Sequence, residues 1–307
     1  MTKYAMLFAS ALLLPTGLFS LPANAWNFTG HVVIGEIAYQ NLTPAARKQV
    51  DFLTDTAYIA LPSKIQRVMD SNHNVSAFAE LSIVPDMIRK DPAQRVWKMM
   101  GETIPASLNQ WDEKTTGPWH YINYTYPASS DCDFIREPNI EMATAALYES
   151  FQTQPQAASL MFLIHLTGDA HQPTHTVAKS VHRLWCSSDY GGNKYTLKVP
   201  QENLHHLWDD GLGLLEKKMQ ADKLAQSLQA KYPRTSLPEL KSVPVGDVKQ
   251  WVAESVALAP LAYSVKKQST PPSEYYQQGQ LAVEKRLVLA GYRLADMLNH
   301  RFESASD

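Results

Sequence analysis

The stretch FLIHLTGDAHQPTHTV, residues 162–177, concentrates three histidines and an aspartate that could bind a metal ion. His165 and Asp169 are four residues apart, so on a helix they would share one face, one turn apart. The residues before them are almost entirely apolar, which predicts a buried helix that ends close to Pro173. His175 follows on the exit turn and can approach Asp169. Because a buried ionised carboxylate needs compensation, we interpret the stretch as metal-binding; satisfied core histidines are the alternative.

Two further segments carry ionisable residues at helical spacing, and a third carries a histidine among aromatic residues. His205 and Asp209 repeat the four-residue spacing of the central stretch. Asp86 and Arg89 are three residues apart and would share a helix face; a solvated ion pair is the alternative. His120 lies in WHYIN, where a core histidine is the alternative to a ligand. Because imidazole and carboxylate are zinc ligands, these residues together indicate a zinc hydrolase.

Residues 1–25 have the pattern of a secretory signal peptide. One basic residue, Lys3, precedes an apolar run, and Ala23-Asn24-Ala25 fits a signal peptidase site. The run is too short, and too interrupted by proline and glycine, for a comfortable membrane span; an uncleaved anchor is the alternative. We therefore expect Trp26 to be the first mature residue and the protein to be secreted or periplasmic. His31 would then lie five residues after the new amino terminus.

Composition and periodicity predict an all-α single domain over residues 26–307. Glycine is sparse, no β-like alternation persists, and apolar residues recur at helical spacing from near Gly30 onward. The exception is KYTLKV, residues 194–199, which predicts a small β-hairpin. A net charge of −2 supplies no global field for polyanions, so nucleic-acid binding would need a local site. No stretch after residue 25 is long and apolar enough to span a bilayer, which predicts no stable membrane association.

Capping residues and prolines locate the other helices. Thr43-Pro44 and Asn139 each open a helix. Asp247 should cap another, which Pro260 would end or kink. The last helix is predicted at Tyr275–Phe302, where leucines and valines line up on one face.

The only two cysteines, Cys132 and Cys186, predict one disulfide. An even pair in an exported protein is typical of a disulfide rather than of thiolate ligands. Both residues lie in predicted loops, one on each side of the central helix.

Six motifs follow one another along the chain: WNFTGH, PDMIR, WHYIN, HLTGDAHQPTH, GGN and NLHHLWD. In this order they resemble the secreted single-strand nucleases that use a cluster of three zinc ions, a family related to bacterial zinc-dependent phospholipase C. The resemblance covers nearly the whole chain from Trp26 onward. Two features depart from the family pattern. Asn27 stands where glycine is usual, and the long segment between Asp86 and His120 suggests an insertion near the active-site rim.

The resemblance implies an α-helical phospholipase C/single-strand nuclease-like fold around three zinc ions. The ligands it implies are, for one zinc, Asp86, His120, His165 and Asp169; for a second, the amino nitrogen and carbonyl of Trp26, His31 and Asp169; and for a third, His175, His205 and Asp209. Asp169 would therefore bridge two of the ions. His171 and His206 stay outside this set, His171 as a supporting or core residue.

The same resemblance implies roles in catalysis. A water between the two bridged ions would attack phosphorus while Asp86 and Asp169 hold the metal ions. Arg89, one turn after Asp86, would hydrogen-bond the charge that develops on the phosphoryl group. Tyr121 would stack on a base and Asn123 would bond to its edge; a packing role is the alternative for both.

We therefore expect a secreted, monomeric zinc endonuclease that hydrolyses single-stranded DNA and RNA to 5′-mononucleotides and also acts on nucleotides as a 3′-nucleotidase. A zinc-dependent phospholipase C is the alternative. Those phospholipases carry a glutamate four residues after the later histidine, where this chain has Asp209. A non-catalytic secreted helical binding protein is a third class, which the metal content would reject.

Overall fold

The computed structural model describes residues 26–71, 74–128, 130–181, 185–215 and 220–303. The predicted signal peptide, residues 1–25, lies outside the described residues. The described chain is mostly helical, as predicted, with one small two-stranded sheet. In chain order the elements are α1 Phe28–Gln40, α2 Pro44–Ala60, α3 Ser63–Met69, α4 Ala77–Leu81, α5 Val84–Ile88, α6 Ala93–Met99, β1 Tyr124–Tyr126, α7 Ile140–Thr153, α8 Ala157–Ala170, β2 Val177–Lys179, α9 Leu204–Asp209, α10 Ala221–Lys231, α11 Glu239–Ser242, α12 Val248–Val256, α13 Ala259–Ala262 and α14 Ser273–Glu303.

Helix α8 is the buried centre of the fold, as the apolar stretch before His165 predicts. All of its residues are buried, and it packs against α1, α2, α7 and α14. It ends at Ala170, close to the predicted end, because Pro173 starts a separate 3₁₀ turn, Pro173–His175. The carboxyl end of α8 therefore presents Asp169 to the segments that surround it.

Side-chain caps start the predicted helices where the sequence indicates. Thr43, Asn139 and Asp247 each accept a hydrogen bond from the backbone N–H three residues later. Helix α1 begins at Phe28, slightly before the expected start, because Asn27 caps it. Pro260 lies in the first turn of α13, so the helix that Asp247 caps ends at Val256 rather than at the proline.

The predicted hairpin at residues 194–199 is reduced to one antiparallel bridge, between Thr196 and Asn203. In the described ranges the only sheet pairs β1 with β2 in parallel, with Tyr124 opposite Val177. Leu197 donates to Glu202 and Leu204 to Tyr195 around this bridge, but Lys198 donates to Ser269, so the pairing extends no further and no strand forms. The parallel pairing matters for the site, since it joins the segment after His120 to the exit turn of α8.

The long segment before His120 packs at the amino end of α8. Trp97 stacks on Phe162 with ring centroids 5.6 Å apart. The Glu102 carboxylate accepts hydrogen bonds from the first two N–H groups of α8, at 2.7 and 3.0 Å, which is favourable at a helix amino terminus. Glu102 is therefore about 18 Å from Asp169 along the helix, and the expectation that the segment lies at the active-site rim is wrong for this residue.

The predicted disulfide between Cys132 and Cys186 is confirmed, with the two Cα atoms 5.3 Å apart. It joins the loop after β1 to the loop after β2. Separately, no helix among the described residues has both the length and the hydropathy needed to cross a bilayer.

Replacing both cysteines by serine is expected to destabilise the folded protein. The bridge closes a loop with a sequence separation of 54, for which the chain-entropy model gives about 4 kcal/mol. In a domain of this size that corresponds to a melting temperature lower by about 10 °C. Thermal unfolding of the wild-type protein and the Cys132→Ser, Cys186→Ser variant, both without reductant, checks this. Equal melting temperatures would show that the bridge does not stabilise the fold.

Candidate metal centre

The first group of ionisable side chains consists of Asp86, His120 and His165, which converge from α5, the 3₁₀ turn Gly117–His120 and α8. One potential ligand atom from each lies within 4.8 Å of the others. The Asp86 Oδ1 atom is 3.6 Å from His120 Nδ1 and 3.8 Å from His165 Nε2. All three are buried. His165 Nδ1 donates to the Ser82 carbonyl at 2.7 Å, which fixes the ring with its Nε2 directed at this group.

The second group joins Asp169 to His31 and His165. Asp169 Oδ1 lies 3.3 Å from His31 Nε2, whereas Oδ2 lies 3.1 Å from His165 Nε2 and 3.1 Å from His120 Nδ1. The two oxygens of one carboxylate thus face different imidazoles. Gly168 makes this possible, since a Cβ there would lie only 3.0 Å from His31 Nδ1. The arrangement suits a carboxylate that bridges two metal ions.

The third group consists of His175, His205 and Asp209, from the exit turn of α8 and from α9. His175 Nδ1 donates to the His120 carbonyl at 2.6 Å, and His205 Nδ1 donates to the Gly191 carbonyl at 2.8 Å. These bonds fix both rings with Nε2 towards Asp209, at 3.9 and 3.6 Å from its oxygens. Sequence reasoning missed Gln172, whose Nε2 donates to Asp209 Oδ1 at 2.6 Å.

Many polar atoms in these groups are buried without a hydrogen-bond partner, which is costly unless something else satisfies them. Those atoms are both ring nitrogens of His31, both carboxylate oxygens of Asp86, Nε2 of His120, Oδ1 of Asp169, Nε2 of His175 and Oδ2 of Asp209. Imidazole nitrogens and carboxylate oxygens are the donors that zinc prefers. The residues present therefore fit a set of bound metal ions.

The pKa directions favour the metal-binding forms of His31, His120 and Asp169, whereas burial raises the pKa of Asp86 and that of Asp209. Burial lowers the pKa of His31 to about 4 and that of His120 to about 3, so both imidazoles are neutral. Burial alone would raise the pKa of Asp169, but the charge of His165 and hydrogen bonds from the surrounding histidines hold it well below its usual value. Burial raises the pKa of Asp86 to about 6, and the charges of His165 and Arg89 offset this only in part. A neutral imidazole and an ionised carboxylate are the forms that bind metal.

A cavity of about 150 Å³ opens beside the third group. The predicted substrate residues Arg89, Tyr121 and Asn123 all line it, together with His175 and His205. Arg89 Nη1 is 4.0 Å from Asp86 Oδ1. The Arg89 side chain is partly exposed and lines the cavity. The structure thus brings the predicted substrate residues to the same place as the potential metal ligands. Tyr190 and Asn193 also line the cavity.

Trp26 is fully buried between the carboxyl end of α8 and α9. Its Nε1 donates to the Gly168 carbonyl at 3.0 Å, and the next residue, Asn27, donates its backbone N–H to the Asp209 carbonyl at 2.9 Å. The Trp26 indole therefore lies against Gly168, and the main chain that follows Trp26 runs beside Asp209. Asn27, which departs from the resemblance, also donates through Nδ2 to Asp210 and to Leu215.

His171 is a supporting residue, not a member of the three groups. Its Nδ1 donates to the Thr167 carbonyl at 2.7 Å, and its Nε2 accepts from Arg293 at 2.8 Å. Burial and the neighbouring arginines hold its pKa well below the usual value, so it is neutral. Arg286 donates to the His171 carbonyl at 3.1 Å, and Ser255 donates to the Ala170 carbonyl at 2.7 Å. These bonds anchor the end of α8 that carries Asp169.

The arginines of this anchor are paired with one acid, Glu254. Arg286 and Arg293 are almost fully buried on α14, and each donates to the Glu254 carboxylate at 2.6–2.7 Å. Sequence reasoning missed the cluster, although two arginines seven residues apart inside an otherwise apolar helix face were a visible signal.

Glu254→Gln is expected to destabilise the protein by about 3 kcal/mol at neutral pH, because two buried guanidinium groups lose their counter-charge. Burial alone would raise the pKa of Glu254, but hydrogen bonds and charges from Arg293 and Arg286 lower it. Its stabilising contribution is therefore complete above the unfolded value of 4.5 and is lost as pH falls through the folded value. Urea unfolding at pH 7 and below 4.5 should show the difference from wild type shrinking in acid. A pH-independent difference would contradict this, and Glu149→Gln, on an exposed face of α7, is the control.

Comparison with known proteins gives consistent matches. A family model described as S1/P1 Nuclease matches residues 26–303. Endonuclease 3 from Arabidopsis thaliana is 31% identical over 256 residues, covering 75% of this chain and 79% of that protein. Endonuclease 1 from the same plant is 28% identical, covering 72% of this chain and 78% of that protein. Nuclease S1 from Aspergillus oryzae is 28% identical, covering 59% of this chain and 71% of that protein.

Proposed function

Because the chain belongs to the S1/P1 nuclease family and is therefore a hydrolase of phosphodiester bonds, we propose that it is a zinc-dependent endonuclease of single-stranded DNA and RNA. The products proposed are 5′-mononucleotides, and the same site would act on nucleotides as a 3′-nucleotidase. The observation that carries the proposal is the convergence of three His/Asp groups, buried and short of hydrogen-bond partners, on a cavity lined by Arg89, Tyr121 and Asn123.

The proposed zinc ligands follow the three groups, with Asp169 shared between two ions. They are Asp86, His120, His165 and Asp169 for the first zinc, the amine and carbonyl of Trp26 with His31 and Asp169 for the second, and His175, His205 and Asp209 for the third. The separate orientation of the two Asp169 oxygens supports the shared role. When bound, the zinc ions would supply Lewis-acid polarisation of the phosphodiester and an activated water as nucleophile.

The chain's own residues would hold and orient the substrate. Arg89 lies at the cavity wall beside Asp86, where its guanidinium can donate to a phosphoryl oxygen as negative charge develops. Tyr121 would stack on a base, and the Asn123 amide would bond to the edge of that base. Fixed imidazole orientations, set by the carbonyls of His120, Gly191 and Ser82, would keep the site organised before the substrate arrives.

We propose that residues 1–25 are a signal peptide and that the nuclease domain, residues 26–307, acts as a monomer outside the cytoplasm. The Cys132–Cys186 disulfide supports an oxidising compartment. The family match begins at residue 26, which supports the same boundary.

The phospholipase C alternative is not favoured. The family model and the curated relatives are nucleases and endonucleases. Asp209, the last residue of NLHHLWD, stands where the related phospholipases have glutamate. It faces His175 and His205. The third class, a non-catalytic binding protein, is rejected by the family assignment.

Single-stranded DNA is expected to be hydrolysed at least about tenfold faster than a duplex of the same sequence. A base must leave its stack to reach Tyr121 in this cavity, and unpairing costs a few kcal/mol in a duplex. Initial rates on a labelled oligonucleotide, alone and annealed to its complement, check this at one salt concentration. Equal rates on the two substrates would contradict the proposed mode of base binding.

A further inference from the structure

The rim of the cavity carries an aromatic side chain that none of the six motifs includes. Tyr190 lines the cavity together with Arg89 and Tyr121, and 56% of its surface is exposed. Its φ is +54°, in the left-handed region that bulky residues rarely adopt. Such a conformation persists only where the surroundings impose it, and it is common at binding sites.

The loop that holds Tyr190 is anchored on both sides. Before it, the buried Asp189 carboxylate accepts from the Lys179 backbone at 2.8 Å and from the Tyr263 hydroxyl at 2.9 Å. After it, Asn193 Nδ2 donates to the Tyr190 carbonyl at 2.7 Å. Gly191, with φ +64°, must be glycine because a Cβ would collide with the Thr174 carbonyl in the cavity wall. Tyr190 is therefore presented to the cavity by a fixed backbone.

The ammonium group of Lys194 lies over the Tyr190 ring. Lys194 Nζ lies 4.3 Å from the centroid of the Tyr190 ring, a cation–π contact at an exposed position. An aromatic face beside an ammonium group is the combination that binds single-stranded nucleic acid, since the ring stacks on a base and the cation meets the backbone. An exposed ring gains little from burial in the folded protein, so stability does not explain this placement.

We propose that Tyr190 and Lys194 form a nucleic-acid contact at the cavity rim, in which Tyr190 stacks on a nucleobase and Lys194 pairs with a backbone phosphate. The proposal rests on the nuclease function proposed above. This contact is made by the loop between β2 and α9 and is separate from the contacts proposed for Tyr121 and Asn123. The contact would act on oligonucleotides and would not affect a small phosphodiester that has no base.

The test compares two substrates, single-stranded DNA and bis(p-nitrophenyl) phosphate, in the zinc-loaded protein. Tyr190→Ala is expected to raise KM for single-stranded DNA at least about fivefold and to leave hydrolysis of the small ester unchanged. Tyr190→Phe keeps the ring and should behave like wild type. Lys194→Gln should reduce the slope of log kcat/KM against log salt on DNA by about 0.7, the value for one phosphate contact on a single strand.

Two exposed residues outside the cavity lining provide matched controls, Phe52→Ala on α2 and Lys64→Gln on α3. An unchanged KM in Tyr190→Ala would overturn the rim contact alone. Equal losses on both substrates would also overturn it, because they would show damage to the centre itself. If the wild-type protein hydrolyses the small ester and leaves single-stranded DNA intact, the proposed function fails, and the rim contact fails with it.

Discussion

Asp169→Asn is expected to lower the rate on single-stranded DNA by more than about a hundredfold and to remove zinc from two of the three groups. Its two oxygens face His31 on one side and His165 with His120 on the other, so one substitution affects both groups. Losing even a residue that only supports a metal ligand costs about 10–100-fold, and a shared ligand should cost more. Asparagine keeps the shape but loses the charge and points an N–H₂ at one of the imidazoles.

Zinc content and initial rate, measured on the same sample of Asp169→Asn, check this prediction. Asp55→Asn, on the exposed face of α2, is the control and should keep both quantities at wild-type values. Thermal unfolding of the chelator-treated proteins separates loss of metal from loss of fold. Full zinc content together with full activity in Asp169→Asn would show that Asp169 does not bridge two ions.

A chain with Gly-Ser placed ahead of Trp26 is expected to bind less zinc and to hydrolyse single-stranded DNA at least about tenfold more slowly. A free α-amine has a pKa near 8 and can lose its proton to a metal, whereas a peptide nitrogen does so only with difficulty. The amine and carbonyl of Trp26 would form a five-membered chelate ring. The indole bond to Gly168 and the Asn27 backbone bond to Asp209 hold this part of the chain close to Asp169 and Asp209, so residues added before Trp26 would crowd the site.

The comparison requires two proteins that differ only in their first residues, one starting at Trp26 and one at Gly-Ser-Trp26. A third protein with the same two residues added after Asp307 controls for the extension itself. Equal zinc stoichiometry and equal rates in the first two proteins would show that the amino terminus is not a ligand. In that case, removal of residues 1–25 would matter for export alone.

Local pattern predicted those parts of the fold that local contacts determine. The apolar stretch before His165, the caps at Asn139 and Asp247 and the pair His205 and Asp209 all depend on residues within one or two turns, and the structure has helices there. The hairpin at 194–199 is limited to the bridge between Thr196 and Asn203, because alternation does not determine which segment a strand will pair with. Lys198 bonds to Ser269 instead of continuing the pairing.

The grouping of the site residues could not be derived from spacing alone. Asp86, His120 and His31 come from separate elements, and only the family resemblance indicated that they would share ions with the residues of α8. The supporting residues were harder still. Gln172 beside Asp209, Glu102 at the start of α8 and the arginines bonded to Glu254 act across long sequence separations. No local rule connects such partners, whereas packing around α8 brings them into contact.

The measurement that tests the account most directly compares hydrolysis of single-stranded DNA and phosphatidylcholine by one preparation of the protein whose zinc content is determined in parallel. We expect close to three zinc ions per chain, one for each of the three groups, cleavage of the DNA that chelators abolish, and no cleavage of the lipid. Hydrolysis of phosphatidylcholine with intact DNA, or DNA cleavage by protein that contains no metal, would contradict the account.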